Sequence, residues 1–121
     1  VSFNKMMKVA LGAAAELEKE GVSAEVIDFR AIKFLDWMTI LESVKKTYRL
    51  VIVEEQWPYA SVSSEISYQI QTEGFDYLDA PIRRITAADA PLHYAPNLVA
   101  AALPDVSRTV KLVKEVMYLQ K

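Results

Sequence analysis

The chain has 121 residues, 52% of them hydrophobic, with 14 basic and 16 acidic side chains and a net charge of −2. That length supports one domain spanning residues 1–121, and the charge balance leaves no electrostatic footprint for nucleic acid and no polybasic membrane anchor. No apolar run approaches the roughly 20 residues of a membrane span, the absence of cysteine excludes disulfides and thiolate chemistry, and a single histidine, His93, leaves metal binding unsupported and a nucleophile–histidine pair within the chain unexpected.

Segments of period 2 and period 3.6 alternate along the chain, the pattern of strand–helix–strand units with a largely parallel sheet. The sequence opens at Val1 inside an apolar run, which reads as a piece of a longer protein whose first strand is cut to Val1-Ser2-Phe3. Asn4 is expected to cap a helix with an apolar stripe of Met7, Ala10, Leu11, Ala14 and Leu17, closed by Gly21 in the left-handed conformation that needs no Cβ. Val26-Ile27-Asp28-Phe29 reads as the next strand, and a helix starting at Asp36 turns Ile40, Leu41 and Val44 inward, with Lys45 and Lys46 at its negative end.

Arg49-Leu50-Val51-Ile52-Val53 is too continuously apolar for a half-exposed strand and reads as a central parallel one. A serine-rich turn leads into a helix with Val62, Ile66 and Ile70 at four-residue spacing, closed by Gly74. Ile82-Arg83-Arg84-Ile85-Thr86 is a more polar strand nearer a sheet edge. The stretch from Ala90 to Pro104 holds three prolines and little periodicity, and reads as a loop or a set of turns. Pro104-Asp105 starts a last helix with Val106, Val110, Val113 and Met117 on one stripe. The expected fold is a three-layer α/β/α domain with about five mostly parallel strands.

Few residues suggest chemistry. Glu54 and Glu55 follow a buried strand at its carboxyl end, where α/β sheets gather ligand-binding groups. They also read simply as charges ending a strand, since no histidine, metal motif or phosphate loop accompanies them. Trp57-Pro58-Tyr59 reads either as an aromatic platform for a small ligand or another subunit, or as a turn whose indole plugs the core. The glycines Gly12, Gly21 and Gly74 match no phosphate-cradling spacing. Of Arg83 and Arg84, at least one is expected to face solvent or an interface, and His93, in a proline-rich loop, has a surface or packing role. No residue is assigned a catalytic, cofactor-binding or metal-ligating part.

Taken in order, Glu25-Val26-Ile27-Asp28-Phe29-Arg30, Leu35-Asp36, Val53-Glu54-Glu55-Gln56-Trp57-Pro58, Leu78-Asp79-Ala80-Pro81, the loop from Ala87 to Ala95 and Pro104-Asp105-Val106 resemble the C-terminal, transketolase-like domain of the β subunit of the thiamine-dependent 2-oxo acid dehydrogenases, closest to pyruvate dehydrogenase. Phe34 departs from the family's usual proline, Gln56, Ser61, Ser63 and Ala87 from glycines, and His93 from a proline. The resemblance implies that thiamine diphosphate and magnesium are held by the α subunit and that the carboxylate activating thiamine lies in the N-terminal half of the β subunit. It implies for this domain a role in assembly: packing with the α subunit and a second β subunit in an α2β2 heterotetramer, and presenting a surface to the subunit-binding domain of the dihydrolipoyl acyltransferase.

Within that resemblance, Asp79 matches the aspartate that meets a basic residue of the acyltransferase, although an aspartate in such a turn also bonds its own backbone. Leu119, near the end of the terminal helix, lies beside the same surface, with Gln120 and Lys121 running past the usual stop. Trp57 and Tyr59 are the interface candidates. The parent enzyme would decarboxylate pyruvate and reductively acetylate lipoyl groups, in the mitochondrial matrix, a bacterial cytoplasm or a plastid. A branched-chain 2-oxo acid relative, another transketolase-like enzyme and a free-standing α/β interaction module are the alternatives.

Overall fold

The computed structural model describes residues 1–119, so Gln120 and Lys121 lie outside the described residues. A single 3-10 turn, Asn4–Met6, leads into helix α1 (Met7–Lys19), followed by α2 (Trp37–Thr47), strand β1 (Val51–Val53), α3 (Val62–Gly74), a second 3-10 turn (Phe75–Tyr77), strand β2 (Arg83–Ile85), α4 (Pro96–Ala102) and α5 (Val106–Val116). β1 and β2 are parallel, with Val51 opposite Arg83 and Val53 opposite Ile85. Ser2 makes single parallel bridges to Val53 on one side and Asp28 on the other. The extended segments therefore lie side by side in the order 26–29, 1–3, β1, β2, with β2 at one end as its polar character predicts.

The sheet is smaller than the sequence suggests. Among the described residues there are two regular strands, not about five, because residues 1–3 and 26–29 pair through isolated bridges only. What does form is held in parallel fashion: Ser2 N–H donates to Ile27 O at 3.0 Å, Phe29 N–H to Ser2 O at 2.9 Å and Val53 N–H to Val1 O at 3.0 Å.

Alternate residues of a strand point to opposite faces, and β1 shows it. Ile52 joins Phe3, Phe29, Leu50, Ile40 and Val44 of α2, and Ile66 and Ile70 of α3 in one core cluster. Val53 joins Met6 and Ile85 in a second, with Val9 of α1 and Leu112 of α5 packed against it. Ile40, Ile52, Ile66 and Ile70 are fully buried, each contributing about 1.5–3 kcal/mol relative to exposure.

The helix ends follow their local chemistry. Asp36 caps α2 by accepting from Thr39 N–H at 3.1 Å, and Asp105 caps α5 by accepting from Arg108 N–H at 2.7 Å. α1 closes as expected: Gly21 takes φ +81°, Gly21 N–H bonds Glu18 O and Val22 N–H bonds Leu17 O, both pointing back into the last turn. Asn4 does not cap α1; it sits within the 3-10 turn at φ 55°. The buried stripe runs from Met6 of that turn to Ala10, Ala13 and Leu17 of α1, leaving Leu11 56% exposed.

Gly74 is not left-handed, having φ −129°. A Cβ there would stand 2.8 Å from Leu41 Cδ1, so the glycine serves the close approach of α3 to α2. The stretch from Ala90 to Pro104 contains α4, nucleated by Pro96 at the helix start; α4 itself buries no residue. On α5 the buried residues are Thr109 and Val116, so Val106, Val110, Val113 and Met117 flank the stripe instead of centring it.

Candidate functional site

Because the extended segments are parallel, their carboxyl ends share one end of the sheet. The loop after β1 is there, carrying Glu54 to Ala60. Glu54 is completely buried, and its backbone N–H continues the pairing to Ile85 O at 3.0 Å. Its carboxylate is claimed by the first turn of α3: Ser63 N–H donates to Oε2 at 3.1 Å and Ser63 Oγ donates to Oε1. A buried carboxylate without donors would be strongly destabilising, and these two bonds are what make the burial tolerable.

The donors line up behind them. A serine hydroxyl has one proton, and that of Ser63 goes to Glu54, so the 2.9 Å bond between Ser61 Oγ and Ser63 Oγ has Ser61 as donor. Ser61 in turn accepts from Arg84 Nη1 at 3.1 Å. Ser64 Oγ and, at 2.7 Å, the carbonyl of Pro58 also lie within hydrogen-bonding distance of Arg84 Nη1, whose two protons are shared among these oxygens. A polar network thus runs from the Arg84 guanidinium through Ser61 and Ser63 to Glu54, joining β2, α3 and β1. It ties these elements together, and at Ser61 it borders the surface depression after β1.

Trp57 does not plug the core. It is 51% exposed, and Tyr59 is 88% exposed. With Glu55, Gln56, Ala60 and Ser61 they border a shallow depression on the surface. Glu55 is partly exposed, Arg83 lies 3.9 Å from Glu115, and His93 is in an exposed loop. Sequence reasoning overlooked Ser61, Ser63, Ser64 and Arg84 as one set; the available signal was a serine-rich helix start nine residues beyond a strand-terminal glutamate.

Asp79 and Leu119 lie at the other end of the sheet. Asp79 N–H donates to Tyr48 O at 2.9 Å, just before β1 begins, while its carboxylate is exposed and makes no hydrogen bond or ion pair among the described residues. Arg49 Nε donates to Val116 O at 3.1 Å, bringing the end of α5 to the same place. α5 finishes with Tyr118 left-handed at φ 56°, Tyr118 N–H on Glu115 O and Leu119 N–H on Lys114 O at 3.0 Å. That paired closure fixes Leu119 at the surface, 54% exposed. Asp79 is thus bonded to Tyr48, and the end of α5, three residues before Leu119, to Arg49, whereas Trp57 and Tyr59 belong to the opposite end.

Beside Val1 a cavity of about 320 Å³ opens between α1, α5 and the start of β1, lined by Ala10, Ala13, Leu17, Val51, Val113 and Val116 among others. The Val1 ammonium donates to Val51 O at 2.8 Å, and burial pushes its pKa down from 8.0 to about 6. Among the described residues no three His, Cys, Asp or Glu side chains gather into a group that could hold a metal ion, and no helix is long and apolar enough to cross a membrane.

The family model described as the transketolase C-terminal domain matches residues 1–108. The chain is 51% identical to the pyruvate dehydrogenase E1 component subunit beta of Rhizobium meliloti, over 98% of this chain and 26% of that protein. It is 50% identical to the same subunit of Rickettsia felis, over 98% of this chain and 36% of that protein. It is 49% identical to the mitochondrial subunit beta-1 of Arabidopsis thaliana, over all of this chain and 33% of that protein. The chain thus spans about a quarter to a third of the length of these relatives. On this match, which takes in both ends of the sheet, the chain belongs to the transketolase C-terminal domain family.

Proposed function

We propose that this chain is the C-terminal assembly and partner-binding domain of a pyruvate dehydrogenase E1 β subunit. The observation that carries the reading is the 51% identity across 98% of the chain. The parent enzyme decarboxylates pyruvate and reductively acetylates lipoyl groups. Its thiamine diphosphate and magnesium are held outside this domain. In the assembled subunit the segments 1–3 and 26–29 extend into the fuller, three-layer sheet of about five strands that the sequence pattern suggests. The compartment follows the source: the matrix in a mitochondrion, the cytoplasm in a bacterium.

Within this reading the two ends of the sheet face different partners. Trp57 and Tyr59 pack toward other chains of an α2β2 heterotetramer. Asp79 and Leu119 receive the subunit-binding domain of the dihydrolipoyl acyltransferase. The physics suits the second assignment: Asp79 stands two residues before Pro81 with its backbone pinned to Tyr48 and its carboxylate free, so a charge-assisted bond to Arg or Lys loses little conformational entropy.

The test is Asp79→Asn in the assembled heterotetramer, titrated with the acyltransferase subunit-binding domain at low and moderate salt. The charge loss should weaken binding by about 1–3 kcal/mol if the pair is desolvated, with the melting midpoint unchanged. Unchanged affinity at both salt concentrations would remove Asp79 from the interface.

A further inference from the structure

The loop 55–60 is unusually constrained for a segment that exposes two aromatic rings. At its base Glu54 is bonded twice to Ser63. In its middle Ala87 N–H donates to Gln56 O at 3.1 Å. Near its tip Arg84 Nη1 holds the Pro58 carbonyl at 2.7 Å while gripping Ser61 and Ser64 of the next element. The loop also carries Ala60 at φ 50°, a left-handed position that a residue with a Cβ occupies only when its surroundings impose it. From a third element, β2, Arg84 hydrogen-bonds both the loop and α3.

We propose that Arg84 is a positioning residue: it latches the Pro58 carbonyl so that Trp57 and Tyr59 stand preformed for docking on the α subunit. The docking half rests on the assembly reading above. A protein surface suits the site better than a small ligand, because the depression beside the two rings is largely open to solvent, while small molecules are held in pockets that enclose most of their surface. Rigid aromatic anchors that need no ordering on contact are what interfaces use as hot spots. The relatives' names, subunit beta of an E1 component, supply the need for a second kind of subunit.

The experiment uses the full-length β subunit with Arg84→Met, which keeps the apolar stem and removes the donors, alongside Trp57→Ala. Amide hydrogen exchange is followed residue by residue, and each subunit is titrated with wild-type α subunit. Arg84→Met should speed exchange in loop 55–60 by about tenfold or more while β1 and the later turns of α3 keep their protection and the melting midpoint moves by no more than about 2 °C. Association with α should weaken about tenfold for Arg84→Met and at least as much for Trp57→Ala.

Unchanged loop exchange in Arg84→Met overturns the latch. Faster exchange with normal association of both variants overturns the docking role and, with it, the reading of Trp57 as an assembly residue. Loss of association in Arg84→Met while Trp57→Ala binds normally means Arg84 touches the partner itself, and also overturns the proposal, as does an effect confined to association between β subunits. Failure of wild-type β to bind α at all would refute the pyruvate dehydrogenase reading while leaving the exchange result to judge the latch.

Discussion

The two ends of the parallel segments bury a charged group each, and they treat it differently. At the carboxyl end Glu54 is enclosed by donors from α3, with an arginine relayed to it through two serines. At the amino end, in a polypeptide that starts at Val1, the Val1 ammonium has one backbone carbonyl, Val51 O, and beside it a cavity lined mostly by apolar side chains, with Glu25, Lys46 and Arg49 among them. Burial is common to both; what differs is whether the fold provides partners. A satisfied buried charge couples three elements, whereas a poorly satisfied one lowers its own pKa and weakens the fold where it stands.

The strongest way to break the comparison is to remove Glu54. Glu54→Ala leaves the Ser63 amide and hydroxyl without their acceptor and opens a void, and should cost about 3–5 kcal/mol in chemical denaturation. A loss below about 1 kcal/mol would mean that Ser61, Ser63 and Arg84 satisfy one another without the carboxylate.

The second prediction sharpens the amino end. The Val1 ammonium has a folded pKa of about 6 against 8.0 unfolded, so between those values the unfolded chain binds more protons. The penalty is full below pH 6, and stability should rise as pH climbs from 6 to 8, by up to about 2–3 kcal/mol for this 121-residue chain with its free amine. Acetylating Val1, or adding upstream residues that turn the amine into an amide and continue into the cavity, should flatten that slope, and the upstream residues should also raise the melting midpoint. A slope that survives acetylation would have to come from another group.

The smallest effect tests backbone conformation at the same end. Gly21 has φ +81° and open space around its missing Cβ, so Gly21→Ala meets no clash and costs only the left-handed strain, about 1 kcal/mol by denaturant midpoint. A loss several times larger would show that the Gly21 turn also shapes the neighbouring cavity.

Much of this was legible before any coordinates. Asp36 and Pro104-Asp105 were readable as helix starts because such signals are local, and the structure shows each aspartate accepting from the amide three residues on. Val51–Val53 was readable as an interior strand because its apolar run is unbroken, and Gly21 as a helix stop because only glycine takes that φ freely. The short helix Pro96–Ala102 was missed because its prolines outweighed the helix-forming Asn97-Leu98-Val99-Ala100-Ala101-Ala102 between them.

For the candidate sites, sequence determined which residues could take part, and only the tertiary structure decided which stand together. The motif order singled out Trp57, Tyr59, Asp79 and Leu119, but nothing local says that the first two and the last two occupy opposite ends of the sheet. That follows from parallel pairing, which sends the loop after Val53 one way and the turn before Arg83 the other. Likewise Glu54 was readable as a strand-end carboxylate, yet its burial depends on Ser63 and on Arg84, nine and thirty residues away. Propensities, caps and apolar periods are set by neighbours within a turn or two of the chain. Whether a charge is buried with partners is set by distant segments meeting, and that information exists only once the chain has folded.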